Sequence, residues 1–267
     1  MEDQPNIEKE VLLLLPELVA IAERAGQAIM AVYVKSDFGV TLKEDESPLT
    51  SADMAAHYMI QAGLETLTPD FPVVSEESTA LPYEVRQGWE RCWLVDPLDG
   101  TREFIKRNDD FTVNIALIQK GVPILGVVHA PALGLSYYAA HEGGAFKQVR
   151  GESPKRIQVS DYRQQKLKVV ISRSFGVDIT DRLLEKKVDF ECLKRGSSLK
   201  LCLVAEGAAH LYPRYGRTME WDTAAADCLV VEAGGSVTDL EGNRLQYNKP
   251  DLANPEFLAR GNPPFPL

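Results

Sequence analysis

The chain has no Cys-x-x-Cys pair, no His-x-His or His-Glu-x-x-His spacing, no long apolar run and no surplus of basic residues. Each absence removes a class of function. The four cysteines, Cys92, Cys192, Cys202 and Cys228, show no short framework spacing, so reduced and mostly buried thiols are expected in place of a disulfide scaffold or a zinc site. The four histidines, His57, His129, His141 and His210, are scattered and read as structural or solvated. The N-terminus opens Met-Glu-Asp without a basic segment, and its longest apolar run, Val11 to Leu15, stops at Pro16. That argues against a secretory signal and falls far short of the roughly 20 residues that cross a bilayer. A cytoplasmic location is expected, with peripheral contact at the inner membrane left open. The net charge of -10 argues against broad electrostatic binding to nucleic acid. It leaves an anionic substrate open, because bound divalent cations reverse the sign locally.

The 267 residues, 45% hydrophobic and 25% charged, suit one large or two ordinary soluble domains. No internal repeat or low-complexity segment is visible. Helical spacing of apolar residues predicts a core-facing helix from about Ile7 to Val34, with Pro16 in the first turn of its main part. A short strand over Val40 to Lys43 precedes a second helix, capped by Thr50 or Ser51 and running to Leu67. Residues 72–75 read as a buried strand ending in Glu76-Glu77-Ser78. Three β-rich runs follow at Phe111 to Ile118, Pro123 to His129 and Leu135 to Ala140. The polar stretch from Val149 to Pro154 marks a boundary, giving an N-terminal half (1–150) and a C-terminal half (151–267). Beyond it strands and helices alternate: strand Val169–Ser172, helix Asp178–Lys187, strand Phe190–Lys194, a helix capped by Ser197 and reaching Glu206, strand Ala209–Pro213, and a helix from Trp221 to Ala233. A hairpin-like Asp239 to Gln246 and a Pro-rich end complete the chain.

Within this frame, Trp93-Leu94-Val95-Asp96-Pro97-Leu98-Asp99-Gly100-Thr101 stands out. The apolar run delivers Asp96 at a strand end, and Pro-Leu-Asp-Gly reads as a tight turn that presses two carboxylates together. Like charges that close raise each other's pKa unless a cation lies between them. The oxygen donors of Asp96, Asp99 and the Leu98 carbonyl suit a hard ion such as Mg²⁺, and Gly100 with Thr101 offers amides and a hydroxyl to a phosphate. A plain surface turn fits the isolated motif equally well. Taken singly, Asp53 reads as a capping carboxylate, Asp222 as an N-cap and Glu76 as a solvated strand end.

Taken together, Glu76-Glu77-Ser78, Trp93-x-x-Asp96-Pro97-x-Asp99-Gly100-Thr101, Trp221-Asp222-x-Ala224-Ala225 and Glu232-Ala233-Gly234-Gly235 resemble the inositol monophosphatase superfamily of Mg²⁺-dependent, Li⁺-sensitive phosphatases. The run through Lys106 (Thr101-Arg102-Glu103-Phe104-Ile105-Lys106) and Gly196-Ser197-Ser198-Leu199-Lys200, leading on to Leu211-Tyr212-Pro213-Arg214, resemble its bacterial CysQ branch, the 3'(2'),5'-bisphosphate nucleotidases.

The resemblance implies an α/β fold, a layered α/β/α/β/α sandwich with an antiparallel sheet in the first half and the active site at the junction of the halves. It further implies that Glu76, Asp96 and the Leu98 carbonyl hold one Mg²⁺, that Asp96, Asp99 and Asp222 hold a second, and that a weaker third sits near Glu76. Asp53 and Thr101, with Glu76, would orient and deprotonate the attacking water, and no phosphoenzyme would form. Gly100 and Thr101 amides would hold phosphoryl oxygens, and Ser197, Lys200 and Arg214 would contact the nucleotide. The implied substrate is the small molecule 3'-phosphoadenosine 5'-phosphate (PAP), dephosphorylated to AMP in sulfur metabolism, with the sulfated form (PAPS) a second candidate. The implied assembly is a monomer or homodimer. The rivals are an inositol or sugar monophosphatase on the same metal site, and a non-catalytic sensor retaining the fold. Three positions depart from the branch pattern: Arg102 where Lys is common, Phe175 where relatives carry His, and Arg217 before Trp221.

Overall fold

The computed structural model describes residues 7–35, 39–42, 48–79, 81–164, 166–173 and 188–265. The apolar positions of the first segment line one face of helix α1 (Ile7–Tyr33), burying Val11, Leu18, Ile21, Ala22, Ala25 and Ile29. Pro16 is not in its first turn but inside it. It sits on the exposed side with Leu12 and Leu13, where water is at hand to replace the N–H that proline lacks. A short ladder of β1 (Thr41–Leu42) with β2 (Pro48–Leu49) follows; Lys43, expected in that strand, lies outside the described residues. Helix α2 (Ser51–Leu67) starts at Thr50, whose hydroxyl accepts from the Ala52 amide.

A seven-stranded sheet runs in sequence order: β3 (Val73–Ser75), β4 (Arg91–Asp99), β5 (Thr112–Gln119), β6 (Val122–Ala130), β7 (Leu135–Ala140), β8 (Gly144–Val149) and β9 (Lys155–Ile157). Every neighbouring pair is antiparallel except β3 and β4. Short helices α3 (Tyr83–Arg86) and α4 (Thr101–Ile105) flank β4. The boundary expected near residue 150 falls within this sheet, because the polar stretch there is the turn between β8 and β9.

The second sheet holds β10 (Leu167–Ser172), β11 (Phe190–Arg195), β12 (Leu211–Arg214), β13 (Ser236–Asp239) and β14 (Phe257–Arg260) in the order β11-β10-β12-β14-β13. Here β10 is parallel to β11 and β12, while β14 is antiparallel to β12 and β13. The helix expected over Asp178–Lys187 lies outside the described residues. The expected hairpin after Asp239 reduces to a Thr238–Arg244 bridge. The partner of β13 is β14, formed from a tail that the sequence presented only as Pro-rich.

Between the sheets lie α5 (Leu199–Ala205) and α6 (Glu220–Glu232), giving an α/β/α/β stack among the described residues. On β4, Trp93 and Val95 join the core under α1 and α2, while Cys92 and Leu94 join the core shared with α5 and α6. The period of two therefore aims Asp96, next in the even series, at the inter-sheet helices. The alanine-rich α6 approaches β6 so closely that a Cβ on Gly126 would lie 2.3 Å from the Ala225 carbonyl oxygen.

Helix α6 also carries a fully buried acid, Asp227, whose Oδ2 accepts from Tyr247 at 2.8 Å while Oδ1 has no partner. Burial raises its pKa to about 7. With the folded value above the unfolded one, stability falls as pH rises from about 4 to about 7 and is flat above. Asp227→Asn removes that penalty. Urea unfolding is expected to show the variant gaining on the parent by up to a few kcal/mol between pH 4 and pH 8; a variant equally or more destabilised at pH 8 would contradict this.

Candidate active site

Strands β3 and β4 run parallel, so their C-terminal ends lie side by side. Ser75 pairs with Val95, and the Glu76 amide donates to the Val95 carbonyl at 3.0 Å. This register sets Glu76 beside Asp96. The polypeptide does not turn at Pro97 as the sequence suggested. Strand β4 continues to Asp99, with Asp96 opposite Asn114 and Asp99 opposite Thr112. The extra residue forms a bulge, a place where the missing N–H of Pro97 interrupts no ladder. The Leu98 amide folds back to Asp96 Oδ1 at 3.0 Å. The reversal falls to Gly100 alone, with φ at 94°, after which α4 begins.

The third acid arrives from the helix layer between the sheets. Asp222 is not an N-cap: it occupies the third position of α6 and accepts from the Met219 amide at 2.8 Å. Oxygens of Glu76, Asp96 and Asp222 lie within 4.8 Å of one another. Burial first, then the charges of Glu76, Asp99 and Asp222, hold the Asp96 carboxyl well above the usual range. Burial and Asp99 push Asp222 up to about 8. A set of oxygen donors crowded in this way fits a hard divalent cation, which supplies the charge that these acids lack.

Asp99, expected to share that ligand role, is held on the opposite side by Ser198, whose amide and hydroxyl donate to its Oδ2 at 2.6 and 3.0 Å. Asn114 adds a longer contact at 3.4 Å and itself donates to Ser198 at 2.9 Å. Burial raises the Asp99 pKa, opposed by Lys200 and by the Ser198 bonds. Sequence reasoning missed both anchors. Asn114 was legible as an amide inside a buried, mostly apolar strand, and Ser198 was passed over for its neighbour. Ser198, not Ser197, is the residue that starts α5. Ser197 takes φ of 45°, and its buried hydroxyl has no partner.

Asp53 does two things at once. Its Oδ2 accepts from the Thr50 amide and hydroxyl at 2.7 and 2.6 Å, closing a capping box, while Oδ1 accepts from Thr101 at 3.2 Å. The Thr101 hydroxyl also lies 3.3 Å from the Leu98 carbonyl. Leu98, Gly100 and Thr101 line a cleft of about 300 Å³ between the two sheets, together with Glu76, Asp96, Asp99 and Asp222; Asp53 is not in its wall and reaches it through Thr101. Lys200 and Arg214 face it from the second sheet's side. Burial lowers the Lys200 pKa against the pull of Asp99, and its ammonium donates to the Ser197 carbonyl at 2.5 Å. Arg214 donates to the carbonyls of Gly216 and Arg217. The cleft is thus lined by carboxylates and, close enough to act on Asp99 and Asp222, by the cations of Lys200 and Arg214. Of the positions that depart from the branch pattern, Arg217 is not among the residues lining it, whereas Arg102 is. Phe175 lies outside the described residues.

Comparison with known proteins agrees with this architecture. The model of the inositol monophosphatase family matches residues 13–262. A protein of Salmonella typhimurium named 3'(2'),5'-bisphosphate nucleotidase CysQ is 52% identical over 91% of this chain and 98% of its own length. The protein of the same name from Escherichia coli K12 is 51% identical over the same shares. Among solved structures, CysQ from Bacteroides thetaiotaomicron, described as a bacterial member of the inositol monophosphatase family, superposes with a TM-score of 0.82 at 40% identity. That match covers 96% of this chain and 98% of its own. A Thermotoga maritima IMPase gives 0.74 at 28% identity, covering 91% and 89%. With the family model spanning nearly the whole polypeptide and half of all residues shared with such relatives, the chain belongs to the inositol monophosphatase family of metal-dependent phosphatases.

Proposed function

We propose that this enzyme is a 3'(2'),5'-bisphosphate nucleotidase that removes the 3'-phosphate of PAP, giving AMP and phosphate, with PAPS as a second substrate. The observation that carries the reading is the mixed lining of the cleft. An acidic cluster suited to metal ions adjoins the Gly100–Thr101 loop, and the cations Lys200 and Arg214 in the same wall suit a second phosphate. The relatives at about half identity that bear this name support it.

In this reading, Glu76, Asp96 and the Leu98 carbonyl hold one Mg²⁺, Asp96, Asp99 and Asp222 hold another, and a third binds more weakly near Glu76. When bound, the ions supply positive charge at the phosphoryl group and at the departing oxygen, and make water more acidic. The remaining work belongs to the polypeptide. Thr101 donates to Asp53, which leaves its own lone pairs free to take a proton from the attacking water as Asp53 receives the hydroxyl proton. Amides of Gly100 and Thr101, at the start of α4, hold phosphoryl oxygens where negative charge grows. Ser198 fixes Asp99 so that its free oxygen is the one left for the ion. Lys200, Arg214 and the unpartnered Ser197 hydroxyl bind the nucleotide.

A substrate panel tests the assignment. With Mg²⁺, kcat/KM for PAP is expected to exceed that for inositol 1-phosphate by at least about 100-fold, a gap of about 2.7 kcal/mol in transition-state binding, and Li⁺ is expected to inhibit. The opposite ranking would assign an inositol or sugar phosphatase, and no release from any member would favour a sensor. The relay is tested separately. Thr101→Val is expected to lower kcat by about 100-fold or more with a melting temperature close to that of the parent, while Thr101→Ser retains most of the rate. Turnover by the valine variant within threefold of the parent would remove Thr101 from the proton path.

A further inference from the structure

The residues proposed to contact the nucleotide begin at Gly196, immediately after β11, and nothing in the two sheets alone sets that turn against the Asp99 corner. Ser198 ties the far end of the turn to Asp99 directly; a second tie, at its start, is made by Asp110, in the loop between α4 and β5. Its side chain is buried, and its Oδ2 accepts from the Gly196 amide at 2.9 Å and from Arg173 Nε at 2.6 Å. Arg173 directly follows Ser172, the end of β10 and part of the cleft wall. The fit is tight on the backbone side as well. A Cβ on Gly196 would lie 2.7 Å from the Asp110 carbonyl oxygen, and one on Gly100 would lie 3.0 Å from the same atom. One residue is thereby wedged between the phosphate-facing loop of the first sheet and the nucleotide-facing turn of the second.

We propose that Asp110 is a positioning residue for substrate. Its carboxylate, oriented by the ion pair with Arg173, fixes the Gly196 amide and through it the register of Ser197, Ser198 and Lys200 against Asp99. The physical reason for a carboxylate here is that a charged acceptor forms a shorter and stronger bond to an amide than a neutral one does, and a small misplacement of a phosphate-binding group is costly. Ser197, in its left-handed conformation, gains no side-chain bond to hold the turn. This inference rests on the reading of the cleft as a bisphosphate site. It assigns a task to Arg173.

The test uses the full-length enzyme in Mg²⁺, with PAP kinetics, calorimetric affinity for adenosine 5'-phosphate, and melting temperature as the control for folding. Asp110→Ala is expected to raise KM for PAP about tenfold and to weaken adenosine 5'-phosphate binding by a similar factor, with kcat within about threefold of the parent. Asp110→Asn, nearly isosteric and still able to accept from Gly196, is expected to restore both to within about threefold. Arg173→Gln, a change at a half-exposed side chain, is expected to raise KM by about threefold. If Asp110→Ala does not fold, the Asn and Gln variants decide the matter. Unchanged KM and nucleotide affinity in Arg173→Gln, an Asn variant as impaired as Ala, or a loss in kcat with KM unchanged would each overturn the proposal. A parent enzyme inactive on PAP would overturn the proposed substrate instead, and the two failures are told apart by that control.

Discussion

Like-charge repulsion is the constraint around which this molecule is arranged. Glu76, Asp96 and Asp222 come from points up to 146 residues apart in the chain, yet their oxygens lie within 4.8 Å of one another, with Asp99 adjoining. Both sheets and the helices between them must be packed before that cluster exists, so its unfavourable energy is carried by the hydrophobic core. Burial amplifies the cost, which is why Asp96 and Asp222 hold their protons above the ordinary carboxylate range. A bound divalent cation turns the same arrangement from a cost into an attraction.

The placement of the acids follows from elementary strand geometry. Parallel pairing of β3 and β4 puts two strand ends together, and alternation along β4 aims Asp96 at the layer in which α6 lies. The bulge at Pro97 shifts the chain so that Leu98 faces the core beneath α2, where Asp53 and Thr101 meet. The two sides of a single strand thus differ: one presents crowded carboxylate oxygens, the other supports the hydrogen bond between Thr101 and Asp53. Asp53 is economical in this respect, since the carboxylate that closes the cap of α2 also accepts from Thr101.

Much of this was legible in the sequence because the informative signals are local. Helical spacing gave α1, a capping residue at Thr50 or Ser51 gave α2, apolar and β-rich runs gave the central strands, and Trp93–Thr101 with Trp221-Asp222 pointed to the family before any coordinates. What was not legible depends on partners distant in sequence. Strands β8, β9 and β14 are short and partly polar, and each exists because a neighbour offers it an edge. Pro97 looked like a turn because the bulge that accommodates it is a property of the β4–β5 pair. Asp222 looked like a cap for the same reason. The capping and ligand readings predict the same residue at a helix start, and only the arrival of Glu76 and Asp96 from the seven-stranded sheet distinguishes them. Ser198 and Asn114 were missed because their importance lies wholly in what they hold, Asp99.

The energetic opposition at the centre is open to direct measurement by comparing the chelated protein with its Asp96→Asn variant. Asn keeps the acceptor for the Leu98 amide and removes one of the crowded acids. In chelator at pH 7.5 the variant is expected to melt at a higher temperature than the parent. Mg²⁺ is expected to raise the parent's melting temperature in a concentration-dependent manner, as binding to the folded state alone requires, and to leave the variant unmoved. A variant less stable than the chelated parent, or a parent indifferent to Mg²⁺, would contradict the view that these carboxylates are held together for a cation.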